Sequence, residues 1–237
     1  MRIERAFIFA AGMGSRLRPY TDNIPKPMVE VWGKPIIDHI IDKLIKAGVK
    51  EIIVNTHYKA DILITHLTKR HDVKIIISDE QDKLLDTGGG LKKAIAHFNS
   101  GPFYAINGDA FWIDSPEQDT LECLAMNWNG ETSDILLLLQ PIETMTLTKS
   151  SGDYDFREGQ QIARNKNKKG TYAFTGIRIL HPRIFDNVAE GVFSFLEQMD
   201  EAEKNNKLAG FVHQGIWHHI STPEDLENVN KEVEGNT

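Results

Sequence analysis

AFIFAAGMGSRLRPYTDNIPKPM, Ala6–Met28, is an apolar strand that breaks into a stiff, basic loop. The run AFIFAA has the unbroken hydrophobicity of a strand covered on both faces. Beyond it come two glycines, two arginines, three prolines and a lysine. Downstream, PIIDHIIDKLIKAG places Ile36, Ile37, Ile40, Ile41, Leu44 and Ile45 at helical spacing, with Gly48 where a C-terminal cap belongs. EIIVNT, VKIIIS, PFYAIN and DILLLL are further buried strands, and ADILITHLTKR and GLKKAIAHFN two more amphipathic helices. This alternation predicts an α/β fold, a Rossmann-like, mainly parallel sheet flanked by helices. Ligands of such sheets collect at the carboxyl ends of the strands, where the opening loop lies.

The rest of the chain narrows the function. A formal charge of −7 excludes a general nucleic-acid binder, which needs a surplus of cations. Cys123 is the only cysteine, so internal disulfides and multi-thiolate zinc sites are out. No apolar run reaches membrane-spanning length, and no signal peptide is visible; a cytoplasmic protein is expected, with no membrane partner. From about Pro141 to Gly170 the pattern dissolves into a polar stretch, read as irregular chain or short hairpins forming a lid or insertion. TYAFTGIRIL resumes as a strand, and HPRIFDNV and VFSFLEQMDEAEKNN read as helical. LAGFVHQGIWHHI reads as a closing strand pair. TPEDLENVNKEVEG is a final helix with Thr222 as cap and Pro223 at its first position.

The opening loop is not a dinucleotide fingerprint, because Leu17 occupies the third glycine position. It is not a Walker A loop either, since no GK[ST] follows the glycines. What remains is a glycine turn whose N–H groups can approach a phosphate, with Arg16 and Lys26 to neutralise it. Prolines at 19, 25 and 27 hold those charges in place at reduced ordering cost. The competing reading is a solvated basic turn.

AAGMGSRLRPYTDNIPKPM resembles the G-x-G-x-R-L-x-P-x-T-x-x-x-P-K-P motif of the sugar-1-phosphate nucleotidyltransferases. The resemblance implies one nucleotidyltransferase domain over residues 1–237. About 1–140 would be its nucleotide-binding half, and about 141–237 a smaller sugar-binding lobe with the closing helix. The implied reaction joins a nucleoside triphosphate and a sugar 1-phosphate into a nucleoside-diphosphate sugar, releasing pyrophosphate. Arg16, Lys26 and Asp109 carry the implied catalytic roles. Arg16 would contact the phosphates, Lys26 the attacked α-phosphate, and Asp109, at the end of the NGD segment, Mg²⁺. Ala10, Ala11, Gly12, Gly14, Ser15 and Arg16 would wrap the triphosphate, with Glu80, Thr87, Gly88 and Gly89 around the base and Asn107 also binding the nucleotide. LLDTGGGL is read as a loop before a helix, its glycines admitting a planar base. Asp155, Thr175 and Gly176 would face the sugar. Each of these has a plainer reading: a helix start at the glycines, a turn former at Asp109, strand and turn hydrogen bonds at Asp155 and Thr175.

The resemblance is strongest to the branch that activates N-acetylmuramic acid 1-phosphate with UTP, favouring UTP over GTP. Mannose-1-phosphate guanylyltransferases share nearly all the motifs. One position departs. Where the family carries W-x-D-[IV]-G-T, with a second metal-binding aspartate, this chain reads WHHIST, with His219 at the aspartate. Imidazole suits Mn²⁺ or Co²⁺ better than Mg²⁺. His219 is therefore either a second ligand or an ordinary strand histidine, and a catalytically silent nucleotide-sugar-binding regulator is the alternative to an enzyme. The sequence is silent on oligomeric state.

Overall fold

The computed structural model describes residues 2–99 and 101–234. The strands are β1 (Arg5–Phe9), β2 (Glu30–Val31), β3 (Lys34–Pro35), β4 (Glu51–Thr56), β5 (Lys74–Asp79), β6 (Phe103–Asn107), β7 (Phe111–Ile113), β8 (Ile135–Pro141), β9 (Tyr154–Phe156), β10 (Ile162–Arg164), β11 (Tyr172–Leu180), β12 (Leu208–Val212) and β13 (Ile216–His218). The helices are α1 (Ile36–Lys46), α2 (Ala60–Leu67), α3 (Asp86–Ala94), α4 (Thr120–Met126), α5 (Leu196–Lys204) and α6 (Pro223–Glu234). Strands β5, β4, β1 and β6 lie side by side and parallel. Beyond β6 the direction reverses: β11 is antiparallel to it, β8 antiparallel to β11, and β12 parallel to β8. The expected parallel-dominant sheet is present, and both halves of the chain contribute strands to it.

Alternation along β1 explains the layering. Ala6 and Ile8 pack on one face with Ile36, Ile40 and Leu44 of α1, Leu63 of α2 and Val229 of α6. Phe7 points to the other face, among Leu91 of α3, Phe98, Phe103 and Met199 of α5. Helix α1 ends as its sequence requires: Gly48, at φ +90°, takes the left-handed position just past it. Among the described residues no helix is long and apolar enough to cross a membrane.

The polar stretch after Pro141 contains a short hairpin, β9–β10, one of the two forms expected of it, and joins the main sheet through Tyr172. Two expectations are corrected. The closing strands β12 and β13 do not pair with each other: β12 extends the main sheet beside β8, and β13 pairs antiparallel with β7. Val192 and Phe193 lie in a loop, and α5 starts only at Leu196. Helix α6 is capped as expected: Thr222 Oγ1 accepts from the Asp225 N–H at 3.2 Å, and Asp225 Oδ2 accepts from the Thr222 N–H at 2.9 Å. That helix also grips the β2–β3 turn. The Trp32 N–H donates to Asn230 Oδ1 at 2.8 Å, and its indole N–H to the Val229 carbonyl at 2.9 Å.

Candidate active site

At the carboxyl ends of β1, β4 and β6 lies a cavity of about 570 Å³. Its walls are Phe9, Ala10, Ala11, Gly12, Gly14, Ser15, Arg16, Lys26, Pro27, Asn55, Leu84, Asp86, Thr87, Asn107, Gly108, Asp109, Val192 and Ser221. A second cavity, about 280 Å³, is walled by Ser150, Ser151, Asp153, Lys168, Phe174, Thr175, Gly176 and Trp217 through Ile220, with Ala110. Arg16, Asn107 and Asp109 belong to both walls. One cation, one amide and one carboxylate therefore stand where two ligands would meet.

The loop is built to hold this shape. Gly14 has φ +62°, and a Cβ there would come within 3.0 Å of Lys26 Cβ and 3.1 Å of Thr21 Cγ2. Only glycine supplies both the left-handed backbone and the room. The Thr21 hydroxyl donates to the Gly14 carbonyl at 2.9 Å and closes the turn. Lys26 is 9% exposed, and its Nζ donates to Asp109 Oδ2 at 2.6 Å. A charge-assisted bond offsets what would otherwise be a costly burial of an ammonium. Arg16 is exposed to solvent beside both cavities.

Behind the loop stands a residue the sequence reading missed. Asn55, last but one in β4, accepts from the Ala10 N–H at 2.7 Å and donates to Glu80 Oε1 at 2.7 Å. The other Glu80 oxygen accepts from the Leu85 N–H at 3.0 Å. A polar residue closing the otherwise apolar EIIVNT run was the available signal. Leu84 and Val192, exposed apolar side chains at the larger cavity, and Ser221 carried none.

Ala10, Ala11, Gly12, Gly14, Ser15, Arg16, Lys26, Thr87, Asn107 and Asp109 all come together on the larger cavity. Three expected neighbours do not line it. Glu80 is 2% exposed and serves as the buried acceptor just described. Gly88 and Gly89 are not in a loop but inside α3, where both N–H groups donate to the Phe193 carbonyl, at 3.0 and 3.2 Å. A Cβ on Gly88 would collide with the Phe193 ring, and one on Gly89 with the Gly191 carbonyl. The glycines let a loop lie against the helix, and it is Thr87 and Asp86 that reach the cavity.

On the smaller cavity Thr175 and Gly176 are in place, the Thr175 hydroxyl donating to the Leu138 carbonyl at 2.8 Å. Asp155 is not on the wall. Its oxygens accept from the Thr171 N–H at 2.8 Å and Asn165 Nδ2 at 3.0 Å, which tie the hairpin, so it does the turn work of the plainer reading. Asp153 lines the cavity instead, paired with Lys168 at 2.6 Å.

Of the two histidines, His218 is 2% exposed and stacks on Phe111, and burial pulls its pKa down to about 4. His219 is partly exposed, stacks on Trp217, and has Nδ1 3.3 Å from the Lys149 carbonyl. Among the described residues no group of three His, Cys, Asp or Glu side chains could cage a metal. Asp109, with 39% of its side chain exposed, fits the other arrangement for a hard divalent ion: one carboxylate with phosphate oxygens and water completing the shell.

Sequence and fold together match nucleotidyltransferases. Residues 5–141, more than half of the chain, match the Nucleotidyl transferase family, and the chain belongs to it. Over 229 residues it is 34% identical to the N-acetylmuramate alpha-1-phosphate uridylyltransferase of Caulobacter vibrioides, covering 92% of each chain. It is 29% identical to the mannose-1-phosphate guanyltransferase beta-A of Xenopus laevis, covering 94% of this chain and 62% of that one. Among solved structures, HddC from Yersinia pseudotuberculosis complexed with GMP-PN has 26% identity and a TM-score of 0.77, covering 98% of this chain and 100% of that one.

Proposed function

We propose that residues 1–237 form one nucleotidyltransferase domain, working in the cytoplasm, that makes a nucleoside-diphosphate sugar and pyrophosphate from a nucleoside triphosphate and a sugar 1-phosphate. The observation that carries this is the shared wall: Arg16, Asn107 and Asp109 border both cavities. The triphosphate would occupy the larger cavity, with its base between Leu84, Thr87 and Val192 and its phosphates along Ala10–Arg16. The sugar phosphate would occupy the smaller one, facing Thr175, Gly176 and Asp153. An oxygen of the sugar phosphate forms a bond to the α-phosphorus, and the bond from that phosphorus to the bridging oxygen of pyrophosphate breaks. No covalent intermediate on the protein is needed; positioning and charge supply the rate.

Lys26 is held at the junction by Asp109 and can donate to the α-phosphate as negative charge builds. Arg16 can follow the departing pyrophosphate, being exposed and beside both ligands. A divalent cation, Mg²⁺ by its preference for oxygen ligands, would be held by Asp109 and would neutralise phosphate charge. His219, on the wall of the smaller cavity, would tune that ion toward Mn²⁺ or Co²⁺ or face the sugar.

UTP with N-acetylmuramate 1-phosphate is the pair favoured, supported by the 34% identity to a uridylyltransferase against 29% to a mannose-1-phosphate guanyltransferase. The test is pyrophosphate release from UTP, GTP, CTP, ATP and dTTP, crossed with a panel of sugar 1-phosphates in Mg²⁺ and then Mn²⁺. Release with UTP and N-acetylmuramate 1-phosphate supports the reading. Release with GTP and mannose 1-phosphate replaces the substrates and keeps the reaction. The histidine at position 219 favours a second reading, a silent nucleotide-sugar sensor. Nucleotide binding with no release under any metal would establish it.

A further inference from the structure

Arg178, in β11, is 3% exposed, and among the described residues no carboxylate lies within ion-pair distance of it. Its guanidinium carbon sits 4.4 Å from the ring centre of Phe9, 4.8 Å from Phe195 and 5.4 Å from Phe174. Its Nε has no hydrogen-bond partner. Burial lowers the pKa of the group, and the wide margin of arginine keeps it charged at neutral pH. A buried cation without a counter-ion costs several kcal/mol. Stacking on rings returns only part of that cost even for a desolvated cation. An apolar side chain of the same volume would avoid that cost.

The location of this cation gives it a use. Phe9 lines the larger cavity, Phe174 the smaller, and Asn107 both. Arg178 Nη1 lies 3.5 Å from Asn107 Oδ1. A guanidinium offers only donors, so it selects the amide orientation with oxygen turned toward it. The Asn107 nitrogen is then left on the side of Gly176, where a Cβ would come within 2.8 Å of it.

We propose that Arg178 is a positioning residue for phosphate binding. It fixes the Asn107 amide with its N–H groups toward Gly176 and the smaller cavity, and holds a positive charge behind the aromatic wall that Phe9 and Phe174 present to the two cavities. The proposal rests on the reading that these cavities hold phosphates. It predicts an effect graded by ligand charge, which a merely structural role would not give.

The experiment is calorimetric titration of uridine, UMP, UTP and inorganic pyrophosphate into the wild-type protein, Arg178→Met and Arg178→Lys. In Arg178→Met, UTP and pyrophosphate should weaken about tenfold, UMP less, and uridine not at all. Its thermal midpoint should be unchanged or higher, since an unpaired buried cation is replaced by an apolar chain. Arg178→Lys keeps the charge and should recover most of the UTP affinity. Equal losses for uridine and UTP, or no loss for any ligand, overturn the proposal. Should Arg178→Met fail to fold, the lysine variant decides: near-normal UTP binding supports the charge, and an equal loss of uridine and UTP overturns it. Wild-type protein that binds pyrophosphate but no uridine compound overturns the nucleotide assignment alone, because the pyrophosphate comparison still judges Arg178. Binding of neither overturns both.

Discussion

Gly90→Ala should destabilise the protein, although alanine in a helix interior normally stabilises by about 1 kcal/mol relative to glycine. Gly90 lies inside α3, and a Cβ there would stand 2.5 Å from Glu80 Oε1, 2.9 Å from Asn55 Nδ2 and 3.4 Å from Glu80 Cδ. The two nearest atoms are bonded to each other at 2.7 Å. A methyl group needs roughly 3.5 Å, so Oε1 must retreat by about 1 Å. It has little room to do so, because Glu80 is 2% exposed and its other oxygen is held by the Leu85 N–H at 3.0 Å. Losing a buried hydrogen bond to a carboxylate costs about 1.5–3 kcal/mol. Set against the gain in helix propensity, the net is a loss of about 0.5–2 kcal/mol. Urea unfolding should show a lower midpoint with an unchanged slope. Because Asn55 also accepts from the Ala10 N–H, nucleotide affinity should fall in the same variant. A raised midpoint would refute the claim that this contact, rather than helix propensity, decides the residue.

Lys26→Ala should lower pyrophosphate release by about 30- to 1,000-fold, the 2–4 kcal/mol typical of a lost donor to developing charge; near-normal turnover would remove Lys26 from the mechanism. Gly176→Ala combines a left-handed φ of +80° with Asn107 atoms 2.8–2.9 Å from the new Cβ. It should cost about 2 kcal/mol or more in stability and weaken sugar-phosphate binding, measurable by thermal shift and titration. His213 is 4% exposed, its Nδ1 2.9 Å from Gln140 Oε1 and its Nε2 3.0 Å from Thr120 Oγ1, and burial pulls its pKa down to about 4. The unfolded chain takes up a proton near pH 6.5 while the folded one resists until about 4, so stability is full above pH 6.5 and drains as pH falls toward 4. By pH 4 the loss should reach about 3 kcal/mol. His213→Gln should lose correspondingly less between pH 7 and pH 4; an identical pH profile would refute the assignment.

Strands β1, β4, β5, β6, β8 and β11 and helix α1 were legible because each is a continuous apolar run or a clean helical stripe, whereas β2, β3 and β7 are only two or three residues long and leave no such pattern. Helix α3 was legible only in its second half. Three glycines carry poor helix propensity, so the sequence places a loop there, whereas the packing of Gly88 and Gly89 against Gly191 and Phe193 extends the helix back to Asp86. Arg16, Lys26 and Asp109 could be gathered in advance because a dense motif and a strand-end NGD leave few other uses for such charge. The likeness of GDYDF to a family G-D-F stretch points to Asp155, in β9, rather than Asp153 just before it; the Thr171 and Asn165 bonds show that Asp155 is the one used in the hairpin. Pairing of β13 with β7 rather than β12 is set by contacts far apart in the chain, which no local pattern encodes.

Trp32, just past the glycine- and proline-rich loop, is fastened to Val229 and Asn230, and the larger cavity takes Ala10 from one end of the chain and Ser221 from the other. A ribosome that has made the first two hundred or so residues has made nearly the whole sheet and yet no finished binding site. Messages cut short after β12 would therefore yield a protein with most of its sheet but an unfinished cavity wall. Its core would lack Leu226 and Val229, and that bared apolar face is what quality control would recognise.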